Sequence, residues 1–523
     1  MRLIVRILAS CFVLLGLSGI SLVSAQELAE EQVVKLLLRG KKDVVHPSAE
    51  GGDGRHWLRV TMLAPFNLDA QGNMVPSLAS GFEKSADELE YTLSFYEDAV
   101  FSNGKPITAS AVKEAWEWGV LSENLPGWGG LMSIFRKIEG MQAVSEGSST
   151  DAEGLVVIDD HTLKIVLNER VIGWENALAS YMAGVFDVSG DVDDIDYWRN
   201  PVVSGPYLFN WDPDTGAITL TQNPNWWGEP VTLERIEFQV VEDPQTRLIA
   251  YENGEVDVIK DLGDLLDQIK VSHPDELVAI PGVGFFYLAF NNQLEPTNDP
   301  HIRRALLHAI DRRAVFQALF PNHPLTDSIL QTGTQCANPE FQISYDPDMA
   351  RTELSQSGYG NAENVPPIRI QYWADINFWG RILTAYQQQW QDNLGLRVEL
   401  FGVDNYDTPN FNLQRDSTAP TINDPSEALG VFAASDGANA AYQSFAASPE
   451  LDALLDEANT LASTDTARCE LYRQIEERLL LDETALIPQI GIPYNWVVKP
   501  YVQGLETSLN QDINWDQISI LEH

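Results

Sequence analysis

The chain has 523 residues, more than one hydrophobic core fills, so two or more domains are expected. Its 76 Asp and Glu outnumber 33 Lys and Arg, for a formal net charge of −43. That excludes a nucleic-acid partner and disfavours anionic lipid, because both need a basic face, and it favours a dispersed monomer.

The first residues, MRLIVRILASCFVLLGLSGISLVSAQ, place Arg2 and Arg6 before an apolar run and Val23-Ser24-Ala25 after it. That is the order of a secretory signal, residues 1–25, with cleavage after Ala25. Leu8-Ala9-Ser10-Cys11 has the composition of a lipoprotein box but stands ahead of the apolar run, which argues against lipidation. No other stretch approaches a bilayer-spanning length. The mature chain is therefore expected to be exported and soluble, in a periplasm or at the outer face of the membrane. It would retain Cys336 and Cys469 in a compartment that permits a disulfide; the sequence leaves open whether they join.

Before residue 200 the pattern is α+β with hairpins. YTLSFYEDAVFSNGKPI reads as a strand followed by a turn at Asn103-Gly104, and LVVIDDHTLKIVL (155–167) as two strands around Asp159-Asp160-His161. Trp116 and Trp118 fall on a helix, where packing explains them. Trp128, between glycines in NLPGWGG, suits either stacking on a ligand or plugging its own core. DVDDIDYW (191–198) lacks the Gly and final Glu of a calcium loop and reads as a solvated linker.

After residue 200 helices alternate with apolar strands, which predicts a largely parallel sheet with crossover helices. The strands are RIEFQVV (235–241), VDVI (256–259), FFYLAF (285–290), IRIQYW (368–373) and LRVELF (396–401). Asp-Pro or Ser-Pro pairs open helices at Asp243, Asp299, Asp346 and Ser448, with the second running as one element over 299–320. A longer helix ends near Gly395. The strand GEVDVI ends in Lys260-Asp261, a polar pair at a carboxyl end, where a solvated turn and a ligand site are both open readings.

Motifs for several chemistries are missing. There is no GxxxxGK[ST], GxSxG or HExxH, and the eight His are scattered without metal-site spacing. No cofactor is indicated. An exported hydrolase would need a nucleophile–base pair or paired carboxylates; Asp261 and Asp424 are conceivable, but nothing in their flanks supports it.

Several runs occur in a telling order: PSLASGFEKSADELEYTLSFYEDAVFSNGKPITASAVKEAW (76–116), SGPYLFNWDPDTGAITLTQNPNWWG (204–228), RLIAYENGEVDVI (247–259), YLAFNN with DPHIRRALLHAIDRRAV (287–315), YDPDMARTELSQSGYG, and the tail IPQIGIPYNWVVKPYVQGL. Together they resemble the extracellular solute-binding proteins, family 5, of ABC importers, which include oligopeptide, dipeptide and nickel binders. The resemblance implies a periplasmic-binding-protein-like α/β fold (type II, cluster C), two lobes around a hinge with an extra α+β subdomain in lobe I. Lobe Ia would use 26–58, 200–282 and 491–523, lobe Ib 59–199, and lobe II 283–490. The hinge would lie near Gly282–Phe286 and Gln489–Pro493. The partners it implies are a membrane permease and separate ATPase subunits, with no catalysis by this chain.

The resemblance also implies a site. It turns Lys260 and Asp261 toward the ligand, and it puts Asp43 and Val44 where an early strand meets the cleft. Trp128 would lie over the ligand, and Tyr287, Gln489 and Gly491 by the crossing strands. In peptide-binding members a segment ending D-x-x-[DE]-P supplies an aspartate for the peptide's α-amine. Here the segment is RDSTAPTINDPSEALG (415–430): Asp424-Pro425 matches its end, Arg415 matches an upstream basic residue, and Thr421 stands at the amine position. A hydroxyl cannot neutralise a buried ammonium, so Asp261 or Asp424 would have to replace it. An oligosaccharide is the alternative ligand, with Trp128, Trp373 and Trp379 as sugar platforms; for Trp373 and Trp379 core packing is an equal reading. Nickel fits poorly, since His46 is the one His placed near the cleft.

Overall fold

In the computed structural model, residues 27–39, 54–69, 73–121, 134–260, 262, 265–280, 284–321, 323–332, 334–374, 377–418, 424–433, 449–461, 466–492, 494–505 and 513–523 are described. They build three larger sheets. The first has seven strands in the order Leu277–Ile280, Tyr494–Val498, Val258–Ile259, Val33–Leu38, Arg235–Val240, Ile218–Gln222, Tyr207–Trp211. Val33–Leu38 is parallel to both its neighbours, and helix Pro244–Glu252 makes the crossover between them. The Asp243 carboxylate caps that helix by accepting from Thr246 N at 2.7 Å.

The second sheet orders Val398–Val403, Ile368–Trp373, Leu413–Thr418, Phe285–Phe290 and Leu486–Gly491. Helix Asn377–Leu394 connects the parallel pair Ile368–Trp373 and Val398–Val403. The third is an antiparallel four-stranded sheet, Ala79–Lys84, Glu90–Phe95, Thr162–Val166, Leu155–Asp159, and contains the hairpin read from 155–167.

Strand alternation explains the core. Phe285, Tyr287 and Ala289 face one apolar cluster with Phe432 and Leu486, whereas Leu288 and Phe290 face another with Trp379, Tyr386 and Trp390. Both faces of the second sheet are therefore covered by helices.

Three expectations need correction. The sheets are mixed rather than largely parallel: Phe285–Phe290 is antiparallel to both Leu413–Thr418 and Leu486–Gly491. The 299–320 run is two helices, Pro300–His308 and Arg312–Leu319, because Asp311 starts a second one by accepting from Ala314 N at 2.9 Å. The strand placed at 396–401 begins and ends two residues later, at Val398–Val403.

The chain passes between the first and second sheets side by side. Leu277–Ile280 belongs to the first and Phe285–Phe290 to the second; Leu486–Gly491 belongs to the second and Tyr494–Val498 to the first. Ile492 N donates to Gly284 O at 2.9 Å, tying the two passages together. Cys336 and Cys469 form a disulfide that fastens the loop at 336 to helix Thr466–Glu477.

Candidate functional site: a ligand cleft at the crossing strands

Leu413–Thr418 lies between Ile368–Trp373 and Phe285–Phe290, with Arg415 opposite Leu288. Opposed residues share a face, so Arg415 points to the side carrying Phe286 and helix Asn377–Leu394. Its guanidinium carbon sits 4.2 Å from the Phe286 ring centroid and 5.0 Å from that of Trp379. Arg415 is 7% exposed, and its buried Nε has no hydrogen-bond partner among the described residues. Burial pushes the guanidinium below its ordinary pKa, and the Tyr406 hydroxyl and the Asp416 carboxylate act against that. Two aromatic rings thus hold the cation, and no described carboxylate forms an ion pair with it.

Beside Arg415 the Tyr406 hydroxyl donates to the Arg415 carbonyl, which fixes the Tyr406 ring. Trp373, the last residue of its strand, lies against that ring with centroids 4.7 Å apart and planes 31° apart. Trp373, at the carboxyl end of its strand, stays half-buried. Trp379 differs: it is 1% exposed and packs edge-on against Phe286 and Phe378.

On the first sheet, Lys260 follows Val258–Ile259 and is buried. Its Nζ is 2.9 Å from His56 Nε2 and 5.7 Å from the Trp496 ring centroid. An ammonium has only donors, so Nε2 accepts and His56 carries its proton on Nδ1. The His56 ring meets Trp496 edge-on at 5.0 Å. Lys260, His56 and Trp496 therefore form one cluster from three separate stretches of chain.

The other predicted positions divide by what they touch. Tyr287 is fully buried, edge-on to Phe432 at 5.2 Å. The Gln489 amide is consumed inside the second sheet's layer: Oε1 accepts from Tyr386 Oη at 2.7 Å and Nε2 donates to Ile487 O at 3.2 Å. Gly491 N donates to Pro324 O at 2.9 Å, and a Cβ there would stand 3.4 Å from Gln331 Oε1, so Gly lets the 324–331 loop lie close. Asp424, weighed as a substitute amine partner, has partners of its own. Both its oxygens accept from Arg468 Nη2, at 2.7 and 2.9 Å, and Oδ1 also accepts from Ser426 N and Oγ. Its charge is already balanced by a wholly buried guanidinium. Asp43, Val44, Trp128, Asp261 and Thr421 lie outside the described residues.

His56, Trp496 and Phe286 belong to these clusters and were missed from sequence. Phe286 carried a weak signal, as the outward residue of an alternating strand one register step from Arg415. His56 and Trp496 carried none, since their meeting depends on sheet order.

Comparison with known proteins places this arrangement. The family model for bacterial extracellular solute-binding proteins, family 5 Middle, matches residues 73–440, well over half the chain. The periplasmic murein peptide-binding protein MppA of Escherichia coli is 24% identical over 87% of this chain and 87% of its own length. The oligopeptide-binding protein OppA of Bacillus subtilis is 25% identical, covering 86% of this chain and 85% of its own. The solved structure of the Escherichia coli murein tripeptide binding protein MppA superposes with a TM-score of 0.82 at 22% identity, over 95% of this chain and all of that one. With its paired strand crossings and the family match over residues 73–440, the chain belongs to the bacterial extracellular solute-binding proteins, family 5.

Proposed function

We propose that this protein is the exported substrate-binding component of an ABC importer. It captures a short peptide between two lobes and delivers it to a membrane permease driven by separate ATPase subunits. In this reading residues 26–58, 200–282 and 491–523, with 59–199 as a subdomain, form one lobe and 283–490 the other. The hinge in this reading lies near Gly282–Phe286 and Gln489–Pro493. Ligand binds the closed arrangement more tightly and shifts the population toward it.

The observation that carries the peptide reading is Arg415. A buried cation without an ion pair is costly unless a ligand supplies the charge. A peptide's terminal carboxylate has the sign and planar shape for it. The murein-peptide and oligopeptide names of the relatives support the same ligand class. Lys260, held by His56, supplies a second cationic contact from the opposite lobe. With Asp424 committed to Arg468, Asp261 is the carboxylate left to meet the peptide's ammonium in place of Thr421. A second reading rests on the Trp373–Tyr406 pair, a half-buried aromatic platform that also suits the apolar face of a sugar.

Isothermal titration of the mature chain with tri- to penta-alanine, the same peptides amidated at the C-terminus, and cello- and malto-oligosaccharides separates these readings. Free peptides are expected to bind and their amides to bind far more weakly. Arg415→Gln should weaken the free peptide about 30- to 100-fold, the worth of a charge-assisted hydrogen bond, and leave the amide nearly unchanged. Binding of sugars with none of peptides would move the assignment to the second reading. Recovery of cleaved ligand after incubation would replace it with a hydrolase.

A further inference from the structure

Arg170 joins two parts of the chain that share no sheet. It follows strand Thr162–Val166 of the antiparallel sheet, and its Nε donates to Glu88 Oε2 at 2.8 Å. Its Nη1 donates to the Asn459 carbonyl at 2.7 Å, 289 residues away. Asn459 lies in the last turn of helix Pro449–Thr460, which packs in the cluster of Phe432 and Tyr287 under the second sheet.

Each side of this contact is held in place. Glu88 sits at a left-handed turn position, φ 58°, between strands Ala79–Lys84 and Glu90–Phe95, and Lys84 Nζ grips its other oxygen at 3.0 Å. Asn459 is fixed by its side chain, whose Oδ1 accepts from Tyr472 Oη at 3.1 Å. Its carbonyl is one of the last four of the helix, which have no partner within it and carry the negative end of the helix dipole. A guanidinium is a favoured partner there. The same seam includes Gly173, where a Cβ would come 3.9 Å from Asp424 Cβ. Asp424 precedes helix Pro425–Ala433 and follows the segment that carries Thr421.

We propose that Arg170 is a closure latch: pre-set on its own lobe by Glu88, it engages the Asn459 carbonyl only when the lobes meet, and so sets ligand residence without touching ligand. This rests on the two-lobe reading above. Because the acceptor is a backbone carbonyl at a helix end, the latch is indifferent to what the cleft holds. It lowers the free energy of the closed state for every ligand by the same amount. In the Arg170→Ala protein, closed and open populations shift by one common factor, and all dissociation rates rise by that factor.

The test uses the full mature chain with donor and acceptor dyes on the two lobes, read by single-molecule energy transfer without ligand and with tri-alanine. The closed-to-open ratio of the ligand-free protein is expected to fall about tenfold in Arg170→Ala, the effect of one partly exposed charged hydrogen bond. The tri-alanine dissociation rate should rise by the same factor with its association rate unchanged. Glu88→Gln should produce part of that loss and add nothing in the Arg170→Ala background, a pattern that simple misfolding would not give. Equal closed-to-open ratios in wild type and Arg170→Ala would overturn the latch. A lowered ratio in a protein that binds no tri-alanine would uphold the latch and overturn the peptide reading.

Discussion

The Arg468 guanidinium grips both oxygens of Asp424, with Arg468 0% and Asp424 4% exposed. Arg468 also lies over the Tyr472 ring at 4.9 Å. Breaking such a pair strands a charge away from water, which costs about 3–5 kcal/mol. Arg468→Met is therefore expected to lose that much in urea unfolding, and Asp424→Asn somewhat less, since the amide still accepts from Ser426. Converting both residues to apolar ones should recover much of the loss. An Asp424→Asn protein of unchanged stability but weakened peptide binding would instead make Asp424 a ligand contact. Sequence could not show that Asp424 meets Arg468, 44 positions away. The same limit applies to Gln489 and Trp379. Trp379 lies on a helix that was expected and Gln489 on a strand that was not, and in both cases the buried face is set by packing between that helix and the second sheet. Arg415 was singled out only through the resemblance of its segment to the family's; the strand Leu413–Thr418 that fixes its face was not read from the sequence.

Local rules carried the elements furthest. The Asp243, Asp299 and Asp346 carboxylates each cap the helix that the sequence assigned to them. Phe285–Phe290 and Ile368–Trp373 run over the residues expected. At Asp311 the same local cap was overlooked inside a run of helical periodicity, and a tertiary hydrogen bond from its N–H to Gln389 Oε1 at 2.6 Å supports the break. Antiparallel pairing in the second sheet was not legible, because it depends on tertiary partners. Packing between elements also yields a pH prediction. Glu353, on helix Pro347–Gln356, accepts from Arg304 Nε at 2.9 Å and lies 2.7 Å from His301 Nδ1, both on helix Pro300–His308. Burial pushes its carboxyl up, but these hydrogen bonds outweigh that and hold it below the ordinary 4.5. A depressed carboxyl stabilises the fold above its unfolded pKa and loses that contribution as pH falls through the folded one. Melting temperatures from pH 7 to 3, in a His301→Asn background that removes the imidazole, should show Glu353→Gln less stable by a constant margin down to about pH 4.5. That margin should then close. A margin independent of pH would mean the carboxylate's charge contributes nothing.

At the scale of the whole molecule, the charge of −43 acts on every equilibrium the chain undergoes. Compact folding brings these carboxylates together, and closing two lobes brings them closer still, so self-repulsion opposes both. Several ion pairs of the fold, such as Lys84 with Glu88 and Glu175 or Lys113 with Asp151, are partly exposed and individually weak. The unpaired excess therefore decides the sign of the salt effect. The Debye length shortens from roughly 30 Å at 0.01 M to about 10 Å at 0.1 M and 3 Å at 1 M. Sodium chloride should accordingly raise the melting temperature by several degrees over this range, most of it below 0.1 M. The same field acts on the ligand. At the proposed site, attraction to Arg415 would be short-range, since Phe286 and Trp379 cover its guanidinium, whereas repulsion from the acidic surface is long-range and screened. A peptide of net negative charge should thus associate faster as salt rises, a lysine-rich one slower, and a neutral one at a constant rate. Dissociation rates should be nearly salt-independent for all three, since the contacts that hold a captured ligand lie inside the screening distance. Stopped-flow association with tri-glutamate, tri-alanine and tri-lysine measures this directly. Identical salt slopes for the three would mean that the acidic surface lies too far from the entrance to steer what enters it.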